Sequence, residues 1–330
     1  GEGEGRSAAQ VLGELQDFLT EVLVGGLAEG QHADDAVAGD QGKDDGLAAD
    51  RGGRGEGGAD ARGHLVGRAA GQAEAAGTAF NSDIGRPDVD SVQEYHRERG
   101  RAAVVFTADS ETALGHTPIS SAEIAEGAAR NNDVLIPFGS VDPRKGSAAI
   151  DSARRLIDDH GVRGFKFHPT VQAFDPSDSA WFPLYAALQD AGVTALFHTG
   201  QTGIGAGMPG GRGFRLALSN PMLLDTVAAE FPELQIIMAH PSVPWQDEAL
   251  SVATHKHNTW IDLSGWSPKY FPAELVRAAN SYLKGRVLFG SDFPLLTPDR
   301  WMRDVEQTTL KPEVMPGILK QNAIRLLGLS

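Results

Sequence analysis

Four short stretches of this 330-residue sequence end in side chains that can move protons or hold a cation. They are Gly164-Phe165-Lys166-Phe167-His168-Pro169, Leu196-Phe197-His198-Thr199-Gly200, Met238-Ala239-His240-Pro241 and Leu288-Phe289-Gly290-Ser291-Asp292-Phe293-Pro294. Imidazole nitrogen combined with carboxylate oxygen suits a divalent ion, zinc or manganese, with positions left open for water. Beside such an ion a carboxylate can accept or relay a proton, and a second imidazole can donate one to a leaving group. A single histidine after an apolar run is more often a hydrogen-bonded structural residue. Repetition at equivalent places changes that balance, because burying three imidazoles and a carboxylate is costly unless they act together.

Each stretch closes a run with the look of a β-strand. Seven such runs are predicted: 102–107, 134–141, 162–168, 193–198, 234–240, 259–264 and 286–291, rich in Val, Ile, Leu and Phe. Between them lie amphipathic segments with helix starts at Ser121 and Ser147, and a predicted helix over 148–160 that stops at Gly161. Strand and helix alternating at this spacing imply a parallel sheet covered by helices. An open doubly wound sheet should carry Gly-x-Gly-x-x-Gly after its first strand, and none follows the run at 102–107. The expected fold is therefore a (β/α)8 TIM barrel whose first strand is missing or unrecognisable. Side chains alternate along a strand, so Gly164, Lys166 and His168 should share a face, as should Thr194, Leu196 and His198; Ile236, Met238 and His240; and Leu288, Gly290 and Asp292. In a parallel barrel the C-terminal strand ends meet at one mouth, where these polar residues would converge.

Residues 1–85 read differently. They contain no Trp or Tyr, every Pro lies beyond them, and Gly, Ala, Asp, Arg and Glu dominate. Only Val11 to Leu27, with Leu12, Leu15, Leu19, Val22 and Leu23, has helical spacing. From Gln31 to Gly77 there is too little apolar content to offset ordering entropy, so an irregular, low-complexity extension precedes a barrel over 86–330. A genuine flexible extension and a mistranslated GC-rich reading frame both produce this composition; the second is favoured. The chain begins with Gly rather than Met, as a fragment would.

Whole-chain composition narrows the function. With 44 acidic against 29 basic residues the net charge is -15, which removes the electrostatic pull toward nucleic acid. No Cys is present, excluding disulfides, thiolate metal sites and cysteine nucleophiles. The absence of an apolar run long enough for a membrane span and of a secretory start gives the expectation of a cytoplasmic enzyme with a small-molecule substrate. No Gly-x-Ser-x-Gly marks a serine hydrolase.

The four strand-end motifs together, over about residues 90–330, resemble the amidohydrolase superfamily, in particular the branch that holds aminocarboxymuconate-semialdehyde decarboxylase and related aromatic-acid decarboxylases and hydrolases. The resemblance implies a barrel with one divalent ion. By position, His198 is similar to the family's metal ligand on the fifth strand, His240 to the acid/base histidine on the sixth, and Asp292 to the ligand and proton acceptor on the eighth. Lys166, His168 and Arg215, the last in a glycine-rich loop after His198, are expected to hold an anionic substrate; the other reading of Lys166 is a charge partner for an internal carboxylate. Trp266, Tyr270 and Phe271 either wall an aromatic ring or pack between barrel and helices. The activity implied is metal-dependent hydrolysis or decarboxylation, breaking a C-N or C-C bond in a small anionic aromatic or acyl substrate.

One family feature is missing. Members begin with a strand ending in His-x-His, and His32, His64 and His96 stand alone. The one His-x-His here, His255-Lys256-His257, falls before the predicted strand at 259–264, on the opposite rim. The alternative is therefore a catalytically silent barrel with half a metal site that binds a small molecule or self-associates. A homo-oligomer would follow if a partner chain covered apolar surface left by an incomplete first unit.

Overall fold

The computed structural model describes residues 18–23, 88–115 and 117–329. Among the described residues eight parallel strands run in chain order: β1 (Phe18–Leu23), β2 (Arg101–Phe106), β3 (Leu135–Pro137), β4 (Gly164–Phe167), β5 (Thr194–His198), β6 (Ile236–Ala239), β7 (Thr259–Asp262) and β8 (Val287–Leu288). They form two ladders, β1-β2-β3 and β4-β5-β6-β7-β8. A parallel bridge between Gly139 and Phe165 joins the two, with Gly139 N–H donating to Gly164 O and Lys166 N–H to Gly139 O, both at 2.8 Å.

The longer helices are α1 (Val89–Arg97), α2 (Ser121–Arg130), α3 (Ser147–His160), α4 (Phe182–Asp190), α5 (Leu223–Glu230), α6 (Gln246–His255), α7 (Ala273–Ala279), α8 (Pro298–Val305) and α9 (Asn322–Leu327). Their starts and stops follow local chemistry. Asp88 caps α1 by accepting from Ser91 N–H at 2.8 Å, and Ser120 caps α2 by accepting from Glu123 N–H. In α3 Ala149, Ala153 and Leu156 form the buried stripe, and Gly161 ends the helix at φ 66° with its N–H on Ile157 O.

Strand alternation divides the core. Phe165, Phe167, Ala195, Phe197, Ile236, Met238, Ile261 and Val287 face outward onto the helices, joining Leu156, Leu188, Leu224 and Val227. Burying each such large side chain contributes about 1.5–3 kcal/mol. Inside, Phe138, Leu196, Ile237, Trp260 and Leu288 fill the barrel. At its N-terminal end α9 forms the floor: Ala323 packs on this cluster, and Asn322 Nδ2–H donates to Val287 O at 2.7 Å.

Two sequence expectations change. The first strand exists: residues 18–23, within the stretch expected to form an amphipathic helix, pair in parallel with β2 from Phe18 opposite Arg101 to Leu23 opposite Phe106. Without β1, β2 would present an edge of unpaired backbone groups, and ladder bonds to it outweigh a helical spacing of leucines. The rest of the predicted helix and of the irregular extension lies outside the described residues. The second change concerns His240, whose strand neighbours Ile236 and Met238 face outward. Simple alternation would put His240 there too. Its φ of 73° breaks the alternation and turns the imidazole to the mouth. Among the described residues no helix is long and apolar enough to cross a membrane.

Candidate active site

The C-terminal ends of β4, β5, β6 and β8 bring Lys166, His168, His198, His240 and Asp292 to one region, each at most 5% exposed. The His168 and His198 rings stack face to face, centroids 3.9 Å apart and 10° from parallel. His240 Nε2 lies 3.0 Å from His198 Nδ1. On its other side His240 Nδ1 lies 3.1 Å from the Ser264 carbonyl and 2.9 Å from the Ser264 hydroxyl. A carbonyl only accepts, so it draws the proton of a neutral His240 to Nδ1, and Nε2 then accepts from His198 Nδ1–H. Asp292 comes close to the same pair: a Cβ built on Gly265 would lie 2.7 Å from His240 Nδ1 and 3.4 Å from Asp292 Oδ2. Like His240, Asp292 has a left-handed backbone, φ 64°, a conformation that costs free energy and is held by its surroundings.

The tautomer of His198 bears on a cation. With Nδ1 donating to His240, a neutral His198 keeps its lone pair on Nε2, and that atom faces the Gln201 carbonyl oxygen at 3.2 Å. Two lone pairs at that distance need a proton or a cation between them. His198 and Asp292 thus fit two positions in a metal shell, while among the described residues no group of three or more His, Asp or Glu is arranged to complete one. His255 and His257 are exposed before β7, on the rim away from the site, as their sequence position implied.

Anion-holding candidates divide. His168 Nδ1 accepts from Val171 N–H at 3.4 Å, so the proton of its neutral ring is on Nε2. Lys166 lies inside the barrel with Nζ 5.1 Å from the Phe106 ring centroid. Arg215 is exposed on the loop after β5, tied down through its carbonyl, which accepts from Thr170 Oγ1 at 3.2 Å. That loop is also anchored by Gly200 N–H on Ser219 O and Gln201 N–H on Val243 O. Of the aromatic residues, Phe271 packs toward Trp301, ring centroids 6.3 Å apart, whereas Tyr270 is exposed and Trp266 half-buried.

Several neighbours were not anticipated. Asp262, at the end of β7, accepts at Oδ1 from Ser264 N–H at 2.5 Å and more distantly from His240 N–H. Its inward place, one step beyond the Trp260 position, follows the same strand-end pattern as the four motifs and could have revealed it. Gln172 and Gly265 carry no comparable sequence signal.

The amidohydrolase family profile (Amidohydro_2) matches residues 59–329. The chain belongs to the amidohydrolase family. No curated protein matches it. Among solved structures, this amidohydrolase is similar to an uncharacterised TIM-barrel protein from Bordetella bronchiseptica, at 25% identity and TM-score 0.60 over 73% of this chain and 83% of that one. It also matches 2,6-dihydroxybenzoate decarboxylase from Rhizobium, at 16% identity and TM-score 0.58 over 74% of this chain and 89% of that one. A third match is 5-carboxyvanillate decarboxylase from Novosphingobium aromaticivorans, solved with manganese and 4-hydroxy-3-methoxy-5-nitrobenzoic acid, at 14% identity and TM-score 0.57 over 74% and 81% of the two chains. The amidohydrolase barrel expected from the motifs is thus borne out.

Proposed function

We propose that this amidohydrolase is a metal-dependent carboxy-lyase acting on a small, anionic, hydroxylated aromatic acid, with C-N hydrolysis as the other use of the same groups. The observation that carries this reading is the buried contact of His198 with His240 at 3.0 Å, formed where β5 and β6 end and beside Asp292. Decarboxylase neighbours of the same fold support it.

His198 and Asp292 would hold a zinc or manganese ion, which supplies Lewis-acid polarisation of a substrate oxygen or acidification of bound water. The chain's residues do the rest. Lys166 and the Nε2–H of His168 bind the substrate anion, and Arg215 meets it at the rim. Asp292 handles the proton, and His240 serves as acid from the form in which Nε2 has also taken up a proton. In decarboxylation a proton is delivered to the ring carbon that bears the carboxylate, the C-C bond breaks, and its electron pair restores the ring as carbon dioxide departs. Burial of the site keeps bulk water from competing for that proton.

The test is metal analysis of the purified protein, followed by incubation with manganese or zinc and either 2,6-dihydroxybenzoate or 5-carboxyvanillate. Near-stoichiometric metal and release of carbon dioxide are expected. A protein that binds neither ion and leaves both acids unchanged is the silent barrel instead.

A further inference from the structure

Gln172 ends the four-residue helical turn Pro169–Gln172 after β4 and is fully buried. Its side-chain amide uses every group it has. Nε2–H donates to Asp109 O at 2.7 Å and to Val141 O at 3.0 Å, while Oε1 accepts from His168 N–H at 2.8 Å. Only one orientation of the amide satisfies two carbonyls and an N–H, so these partners determine it. The main chain closes the loop, with Gln172 N–H donating to His168 O at 2.8 Å. Asp109 follows β2, Val141 follows β3, and His168 follows β4. One side chain therefore ties the loops after β2 and β3 to the backbone of His168 after β4.

The same seam is reinforced beside it. Ser140 Oγ donates to Lys166 O at 2.9 Å and accepts from Asp109 N–H at 3.0 Å, and Asp109 pairs with Lys145 Nζ at 2.8 Å. Their link to the site runs through His168, whose ring lies flat on His198.

We propose that Gln172 is a positioning residue: it fixes the His168 backbone so that the imidazole stays stacked on His198 and turned toward the substrate anion. This rests on the anion-holding role given to His168 above. Replacing Gln172 by Glu keeps the shape but sets a carboxyl oxygen against two carbonyls. Replacing it by Met keeps the volume and removes every hydrogen bond.

The experiment uses the full chain. Native-state hydrogen exchange reads the His168 amide, and proton-carbon correlation spectra read its ring, the resonance being assigned by its loss in His168→Asn. In the wild type the amide is protected and the ring resonance carries the shift of a stacked imidazole. Gln172→Glu and Gln172→Met each move that resonance and raise KM for the aromatic acid about tenfold, the size of one lost hydrogen bond to a charged group, with kcat near wild type. Asn322→Ala, which frees the Lys284 and Val287 carbonyls at the barrel floor, lowers Tm and leaves the resonance and KM in place. Rapid exchange of the wild-type His168 amide overturns the proposal even if neither Gln172 variant folds. So does a folded Gln172 variant with the resonance unmoved. If the wild type turns over neither acid, the functional reading falls, while the resonance still decides the role of Gln172.

Discussion

The backbone of Gly265 lies against the imidazole of His240 so closely that a Cβ on Gly265 would stand 2.7 Å from Nδ1. Gly265 also has φ 73°, which L side chains rarely adopt. Gly265→Ala therefore meets two penalties. The left-handed backbone costs about 1–2 kcal/mol of stability. The methyl must push His240 away from Ser264, whose carbonyl holds its tautomer. A shift of about 1 Å in an acid costs on the order of 100-fold in rate. The expected outcome is a folded protein with turnover of the aromatic acid reduced about that much, measured by product formation and urea unfolding together. Wild-type turnover in Gly265→Ala would remove His240 from the mechanism.

Asp292→Asn keeps shape and removes the carboxylate. If Asp292 carries the proton, kcat falls by about 10²–10⁴ while circular dichroism and Tm stay close to wild type. An unchanged kcat would refute the mechanism.

A cation held by His198 and Asp292 stabilises the folded chain by mass action. At a free concentration one hundred times Kd the gain is about 2.7 kcal/mol. Titrating manganese into metal-stripped protein should raise Tm by several degrees, and His198→Ala or Asp292→Asn should abolish the rise. Equal rises in all three proteins would place the ion elsewhere.

The parts of the site that were legible in the sequence are those announced by a change of polarity at the end of an apolar run. Val193 to His198 is uniformly apolar apart from Thr194 until His198, and the structure uses it as β5 ending on that histidine. The type of His240 is legible in the sequence, but strand alternation gives it the wrong face because its own φ of 73° breaks that rule. Left-handed residues other than glycine leave little trace in a pattern. β1 escaped because its apolar residues are spaced as in a helix, while its pairing is decided by the edge of β2, some 80 residues away in the chain. Gln172 was invisible for a related reason: its three side-chain partners come from separate loops, and a buried glutamine in sequence looks like an exposed one.

His96 offers a test of the outer wall. It is fully buried on α1, and neither ring nitrogen has a hydrogen-bond partner. Tyr95 and Phe293 pack on its ring, and Arg101, Arg99 and Asp299 are the charged groups that act on it. Burial, aided by the two guanidiniums against the opposing pull of Asp299, pushes its pKa from 6.5 down to about 3. Folding thus keeps His96 neutral where the unfolded chain would protonate it. Above pH 6.5 there is no penalty; as pH falls from 6.5 toward 3 the unfolded state binds the extra proton and stability is lost. The loss from this residue is about 2 kcal/mol at pH 5. His96→Leu fills much of the same space without a titrating group and strands no hydrogen-bond partner. Urea unfolding of both proteins at pH 7 and pH 5 should show the acid-induced loss about 2 kcal/mol smaller in His96→Leu. Because Phe293 follows Asp292 directly and packs on this ring, acid should loosen the wall behind the carboxylate before the barrel as a whole. Identical pH dependence in the two proteins would mean that His96 meets solvent or a partner in the native state, and the packing of α1 against Phe293 would have to be redrawn.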